Sequence, residues 1–214
     1  MILRALLAVA LCARIASADS PPDNLVSGTP KTGAEIDPTL AHLKLDRMRA
    51  TFTEQKHVAL LAKPLRSAGT IYFDRAQGVV RIQTAPKPQQ VTVTKTKLVI
   101  KSGTRVEEVP LDKSKDLRAF ALVFPSLLGG DRVALAASFE IGLYGTDTGW
   151  WALSLTPKSE SLKKLLKSVV VIGQKSDPVE LKITEASGDV TETELTEVAR
   201  DKAVTDADIA QAFR

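Results

Sequence analysis

The sequence predicts a mainly β (α+β) fold: a strongly curved antiparallel sheet, or open and incomplete barrel, of about eleven strands with two helices inserted. Three observations carry this. Short segments rich in Val, Ile, Thr and Tyr recur at roughly ten-residue spacing, divided by Pro, Gly and Lys-Pro breaks. Two longer stretches place apolar residues at helical intervals. The 214 residues are 44% hydrophobic and 25% charged, so one large core can be buried. Eleven strands laid flat would leave long exposed edges, which favours curvature.

The N-terminus reads as a cleaved secretory signal over residues 1–18. Arg4 gives the positive start, Leu6 to Cys12 is a short apolar run, and Ala16 and Ala18 are small residues at cleavage-site spacing. Arg14 interrupts the run well short of the ~20 apolar residues that a membrane span needs. Cleavage removes the one cysteine, so no disulfide is expected even in an oxidising compartment. Residues 19–36, rich in Pro, Gly, Ser and Thr, read as a flexible leader, and residues 37–214 as a single domain.

Asp37-Pro38 opens the first predicted helix, with Asp as N-cap and Pro where its missing N–H is harmless. Leu40, Leu43, Met48 and Phe52 form its apolar stripe, which carries the helix to about Gln55. Six strands follow, at His57–Leu61, Gly69–Arg75, Val79–Thr84, Gln90–Thr94, Lys97–Lys101 and Arg105–Leu111. Asp112–Leu128 is the second helical stretch, with Leu117, Phe120, Ala121, Phe124, Leu127 and Leu128 on one face. Pro125 is expected to kink it and Gly129-Gly130 to stop it. Five more strands are predicted at Ser138–Tyr144, Trp150–Leu155, Ser168–Gly173, Val179–Glu185 and Val190–Val198.

The chemistry expected of an enzyme is missing. His42 and His57 have no cysteine or paired histidine at ligand spacing, so no metal and no cofactor are expected. Ser126 lies in no nucleophile elbow, and Glu107 and Glu108 are neighbours that a strand points to opposite faces. Lys+Arg 29 against Asp+Glu 25 leaves a net charge of +4, too small a surplus to imply nucleic acid. Lys163, Lys164 and Lys167 read as a solvated face. By composition and spacing the chain is a secreted, β-rich binding or scaffolding domain and not an enzyme.

Several phrases, in order, resemble the LolA family, the periplasmic carriers that move lipoproteins from the inner to the outer membrane of Gram-negative bacteria. Phe52-Thr53-Glu54-Gln55 is similar to the family's Phe-x-Gln, and Ser67 to Phe73 to the opening of its first long strand. Arg75 stands six positions before the family's Trp position, which holds Arg81 here, and Pro86 five after it. Trp151 to Lys158 and Glu185 to Thr191 resemble two later phrases. Lys63 to Ser67 resembles instead a divergent branch that serves specialised envelope lipids.

The resemblance implies a helical lid over the concave face of the open barrel. Leu43, Met48 and Phe52 from the first helix and Leu117, Phe120, Phe124 and Leu127 from the second would exchange sheet contacts for acyl chain. Arg75 matches the family arginine that ties sheet to helix, and its planar five-donor head suits helix-end carbonyls. Simple core packing for the apolar residues, and a surface role for Arg75, are the alternatives. The implied cargo is an acylated lipoprotein or another envelope lipid, handed over by an inner-membrane extractor to an outer-membrane acceptor, with the carrier a monomer in the periplasm. A periplasmic scaffold or sensor domain of the same fold, binding a partner protein, is the rival reading.

Overall fold

The computed structural model describes residues 21–22, 24–145 and 148–214, so the expected signal segment lies outside the described residues. Eleven strands form one sheet: β1 (Arg47–His57), β2 (Leu65–Asp74), β3 (Gly78–Ala85), β4 (Gln89–Val93), β5 (Lys97–Ser102), β6 (Arg105–Pro110), β7 (Phe139–Gly145), β8 (Trp150–Pro157), β9 (Leu166–Gln174), β10 (Asp177–Glu185) and β11 (Val190–Arg200). The described helices are α1 (Asp37–Leu43), α2 (Lys115–Ala121), α3 (Val123–Leu128), α4 (Arg132–Ser138), α5 (Glu160–Lys163) and α6 (Asp206–Ala212).

Two antiparallel meanders, β1 to β6 and β7 to β11, join where β1 pairs with β11, from Met48 opposite Arg200 to His57 opposite Val190. The strand order ends at β6 on one side and β7 on the other, so the barrel is open. The β6–β7 connection contains α2, α3 and α4, so both free edges lead into the helical cover.

Register fixes which side chains face inward, because directly opposed residues share a face. Met48, Ala50 and Phe52 on β1 lie opposite Phe73, Ile71 and Gly69 on β2, and onward opposite Val79, Arg81 and Gln83 on β3. Leu181 and Ile183 on β10 lie opposite Val171 and Val169 on β9, which lie opposite Leu153 and Leu155 on β8. The inner core is thus two clusters. One joins α1, α3 and α4 to β7, β8 and β9 through Leu40, Leu43, Leu127, Leu135, Leu153 and Val171. The other joins β1, β2 and β3 through Met48, Phe52, Phe73 and Val79, with Leu128 of α3 above them. Gly173 is required on β9 because a Cβ there would lie 2.0 Å from a ring carbon of Trp151.

The outer face carries its own small cluster, in which Leu25 is buried with Trp150 and Ala152. Lys31 also bridges to Leu143. The segment expected to be a flexible leader is therefore anchored at Leu25 and at Lys31, and Leu25 supplies an apolar anchor that composition does not reveal. At the other end of the chain, α6 lies against β2, with Gln90 Nε2 donating to the Ala212 carbonyl at 3.1 Å.

The first predicted helix is corrected by the structure. It ends at Leu43, and Met48 and Phe52 belong to β1, where buried and exposed residues alternate. Residues four apart share a face in a strand as well as in a helix, so their spacing could not separate the two. The strand expected at His57–Leu61 is correspondingly displaced, since β1 ends at His57 and β2 begins at Leu65. The second helical stretch breaks at Leu122 and not at Pro125. Pro125 sits in the first turn of α3, where its lacking N–H costs no helical bond.

Candidate functional site

The space between the cover and the concave sheet divides into two neighbouring cavities. The first has a volume of about 300 Å³ and is lined by Leu117, Phe120 and Ala121 of α2, Val123 and Phe124 of α3, Val91 and Val93 of β4, Leu98 of β5, Val169 of β9, and Leu181 and Ile183 of β10. Every one of these side chains is apolar. Strands from both meanders reach it, so the sheet curves round the helices. The amphipathic spacing of Leu117, Phe120 and Phe124 points one face of α2 and α3 at this space. Phe120 is 42% exposed, so one wall opens to solvent.

The second cavity, about 560 Å³, lies at the end of the barrel that holds the β2–β3 and β4–β5 turns. Its cations are Lys44, Arg75, Lys95 and Arg118, and its one carboxylate is Asp131. Val93 lines both cavities, and Leu122, at the α2–α3 break, lies between the Ala121 and Val123 that line the first.

Arg75 fastens this end. Its Nη1 donates to the Gly129 carbonyl at 2.8 Å, its Nη2 to the Leu45 carbonyl, and its Nε to Asp46 Oδ1 at 2.9 Å. Gly129 is the C-cap of α3, so the guanidinium meets a carbonyl that the helix itself leaves unpaired. Leu45 N also donates to the Leu128 carbonyl at 2.9 Å. Gly130 makes the close approach possible: its φ is +67°, and a Cβ there would lie 3.1 Å from the Leu40 carbonyl.

A polar group interrupts the apolar floor on β1, β2 and β3. Arg81 Nη2 donates to Glu54 Oε1 at 2.9 Å and to Ser67 Oγ at 2.9 Å, and Nη1 to Gln83 Oε1 at 3.0 Å. Thr193 Oγ1 donates to Glu54 Oε2 at 3.1 Å. The Arg81 guanidinium carbon also sits 4.3 Å from the centroid of the Phe52 ring. Burial lowers the Arg81 pKa from its ordinary value, and the Glu54 charge works against that shift.

The residues implied by the resemblance therefore fall into four places. Leu117, Phe120 and Phe124 line the apolar cavity, and Arg75 fastens the cover. Leu43 and Leu127 are buried in helix-to-sheet packing at 3% and 1% exposure. Met48 and Phe52, both fully buried, belong to the sheet floor and not to a lid helix. Two groups escaped the reading of the sequence. The Glu54–Arg81 pair was detectable only as charges at inward positions of period-two segments, and Lys44, Lys95 and Arg118 come from three distant elements. Among the described residues no three His, Cys, Asp or Glu side chains come together as a metal site, and no helix is long and apolar enough to cross a membrane.

An open antiparallel barrel whose interrupted edge is closed by helices over an apolar cavity defines the architectural class. The chain belongs to the family described as outer membrane lipoprotein carrier protein LolA-like, whose model matches residues 30–213. No curated protein matches the sequence. Among solved structures, a LolA superfamily protein from Nitrosomonas europaea aligns at 11% identity over 80% of this chain and 94% of that one, with a TM-score of 0.44. A DUF1329 family protein from Desulfovibrio piger aligns at 10% identity over 81% and 93%, with a TM-score of 0.46. The complex of MucA and MucB from Pseudomonas aeruginosa aligns at 14% identity over 81% of this chain and 60% of that one, with a TM-score of 0.46.

Proposed function

We propose that the protein is a non-enzymatic periplasmic carrier that holds the acyl chain of a lipoprotein or another envelope lipid between α2–α3 and the concave sheet. The observation that carries the reading is the 300 Å³ cavity with an entirely apolar lining and a half-exposed Phe120 at its wall. Water gains nothing from such a space, whereas each methylene placed there gains about 0.8 kcal/mol.

The energetics suit reversible loading. About ten methylenes gain about 8 kcal/mol at that rate, while a hydrogen bond to a charged group such as the Arg75 latch is worth about 1.5–3 kcal/mol. The gain from the chain therefore exceeds the loss of the Arg75–Gly129 hydrogen bond. Because a passive carrier moves cargo only towards tighter binding, loading calls for an energy-driven inner-membrane extractor and delivery for a tighter-binding outer-membrane acceptor.

Titrating the protein with a fluorescent fatty acyl probe tests the reading, beside an Ala121→Trp variant that fills the cavity. Saturable one-to-one binding that the variant abolishes supports acyl carriage. Absent or non-saturable binding by a folded wild-type chain overturns it and leaves partner-protein binding as the role of the fold.

A further inference from the structure

Building on the carrier reading, we infer that the cargo is an anionic amphiphile, whose phosphate- or carboxylate-type headgroup sits in the cationic cavity while its chain occupies the apolar one.

Charge placement is the first ground. Lys44 follows α1, Arg75 lies in the β2–β3 turn, Lys95 in the β4–β5 turn and Arg118 on α2, yet all four line one 560 Å³ cavity. Lys44, Lys95 and Arg118 have no ion pair and no side-chain hydrogen bond among the described residues. Asp131, the carboxylate of the cavity, is engaged in capping α4 through the Ala134 N–H at 3.0 Å. Arg75 is paired with Asp46, so Lys44, Lys95 and Arg118 are the cations left to make the local potential positive, although the whole chain carries only +4.

Continuity is the second ground. Val93 is a wall of both cavities, and the α2–α3 break roofs both. A molecule entering the apolar cavity from this side brings its polar end among the four cations. A neutral headgroup would leave Lys44, Lys95 and Arg118 uncompensated, and a cationic one would be repelled. An anion fits without any further change in the protein.

The test compares two single-chain lipids of equal chain length, lysophosphatidylglycerol and the uncharged monoacylglycerol, by titration calorimetry on the whole mature chain. The inference predicts a preference of about tenfold or more for the anionic lipid at low salt, shrinking as added salt screens the cavity. The triple variant Lys44→Gln/Lys95→Gln/Arg118→Gln, at three exposed positions, should bring the two affinities to within about twofold. The salt series on the wild-type chain decides the matter even if that variant folds poorly.

Equal affinities for the two lipids in the wild type overturn the headgroup inference and leave acyl carriage standing. Binding of neither overturns both. Inorganic phosphate that binds as tightly as the lysolipid marks a free-anion site and overturns the amphiphile.

Discussion

Arg75 Nη1 lies 2.8 Å from the Gly129 carbonyl, so the turn between β2 and β3 holds the C-terminus of α3. The same guanidinium bonds Leu45 and Asp46 in the segment leading into β1, which makes it a pin through three parts of the chain.

Arg75→Leu should loosen the cover without unfolding the barrel. Loss of the latch is expected to cost about 2 kcal/mol and to speed both entry and exit of an acyl probe. Arg75→Lys keeps a charge but not the planar fork, so it should recover only part of the effect. Stopped-flow binding of a fluorescent fatty acid reads both, and unchanged rates in the leucine variant would remove the latch role.

Phe120 and Leu127 should separate binding from stability. Phe120 is half-exposed at the cavity wall, whereas Leu127 is 1% exposed in the main core. Phe120→Ala should weaken acyl binding while costing less than about 1 kcal/mol of stability, and Leu127→Ala should cost about 2–5 kcal/mol. Urea unfolding beside the probe titration gives both quantities for each variant. An equal stability loss in the two would contradict this assignment of wall and core.

Removing one partner of the Glu54–Arg81 pair should be worse than removing both. Each side chain is 22% exposed, so Glu54→Ala strands a mostly desolvated guanidinium at an expected cost of about 2 kcal/mol. Glu54→Leu/Arg81→Leu extends the apolar floor and should regain much of that loss. A double-mutant cycle by urea denaturation measures the coupling, and additive losses would show that the pair acts as two independent surface groups.

Glu180 sets a pH dependence on the outer face. Burial, then the charges of Glu192 and Glu194, raise its pKa above the ordinary glutamate value, with Lys182 opposing. Folding thus favours the protonated form, so stability falls as pH rises through the window between the unfolded and the raised folded pKa. The Glu180 penalty is largest above that window. Glu180→Gln should therefore raise Tm at neutral pH and lose its advantage towards pH 4, as scanning calorimetry across pH would show.

Much of this architecture could be read from the residues, and what could not has local causes. Ten of the eleven strands were visible because Pro, Gly and Lys-rich breaks separate them cleanly, as Lys95-Thr96 separates β4 from β5. Most of β1 fits a helix as well as a strand, because Met48 and Phe52 are four apart; the long-range pairing with β2 and β11 that decides the matter has no local signature. The C-terminal α6 was overlooked although Thr205 and Asp208 form a capping box that the sequence displays. For the site, the apolar stripe of Leu117, Phe120 and Phe124 was legible on its own helix. The cationic cavity was not, since Lys44, Lys95 and Arg118 converge only once the sheet has curved.

Native mass spectrometry of the protein purified gently from its own cells, followed by organic extraction, tests the central claim most directly. The account predicts a one-to-one complex whose extract holds an acylated, anionic molecule. A clean unliganded mass that persists after incubation with envelope lipids would contradict acyl carriage and turn the search towards protein partners.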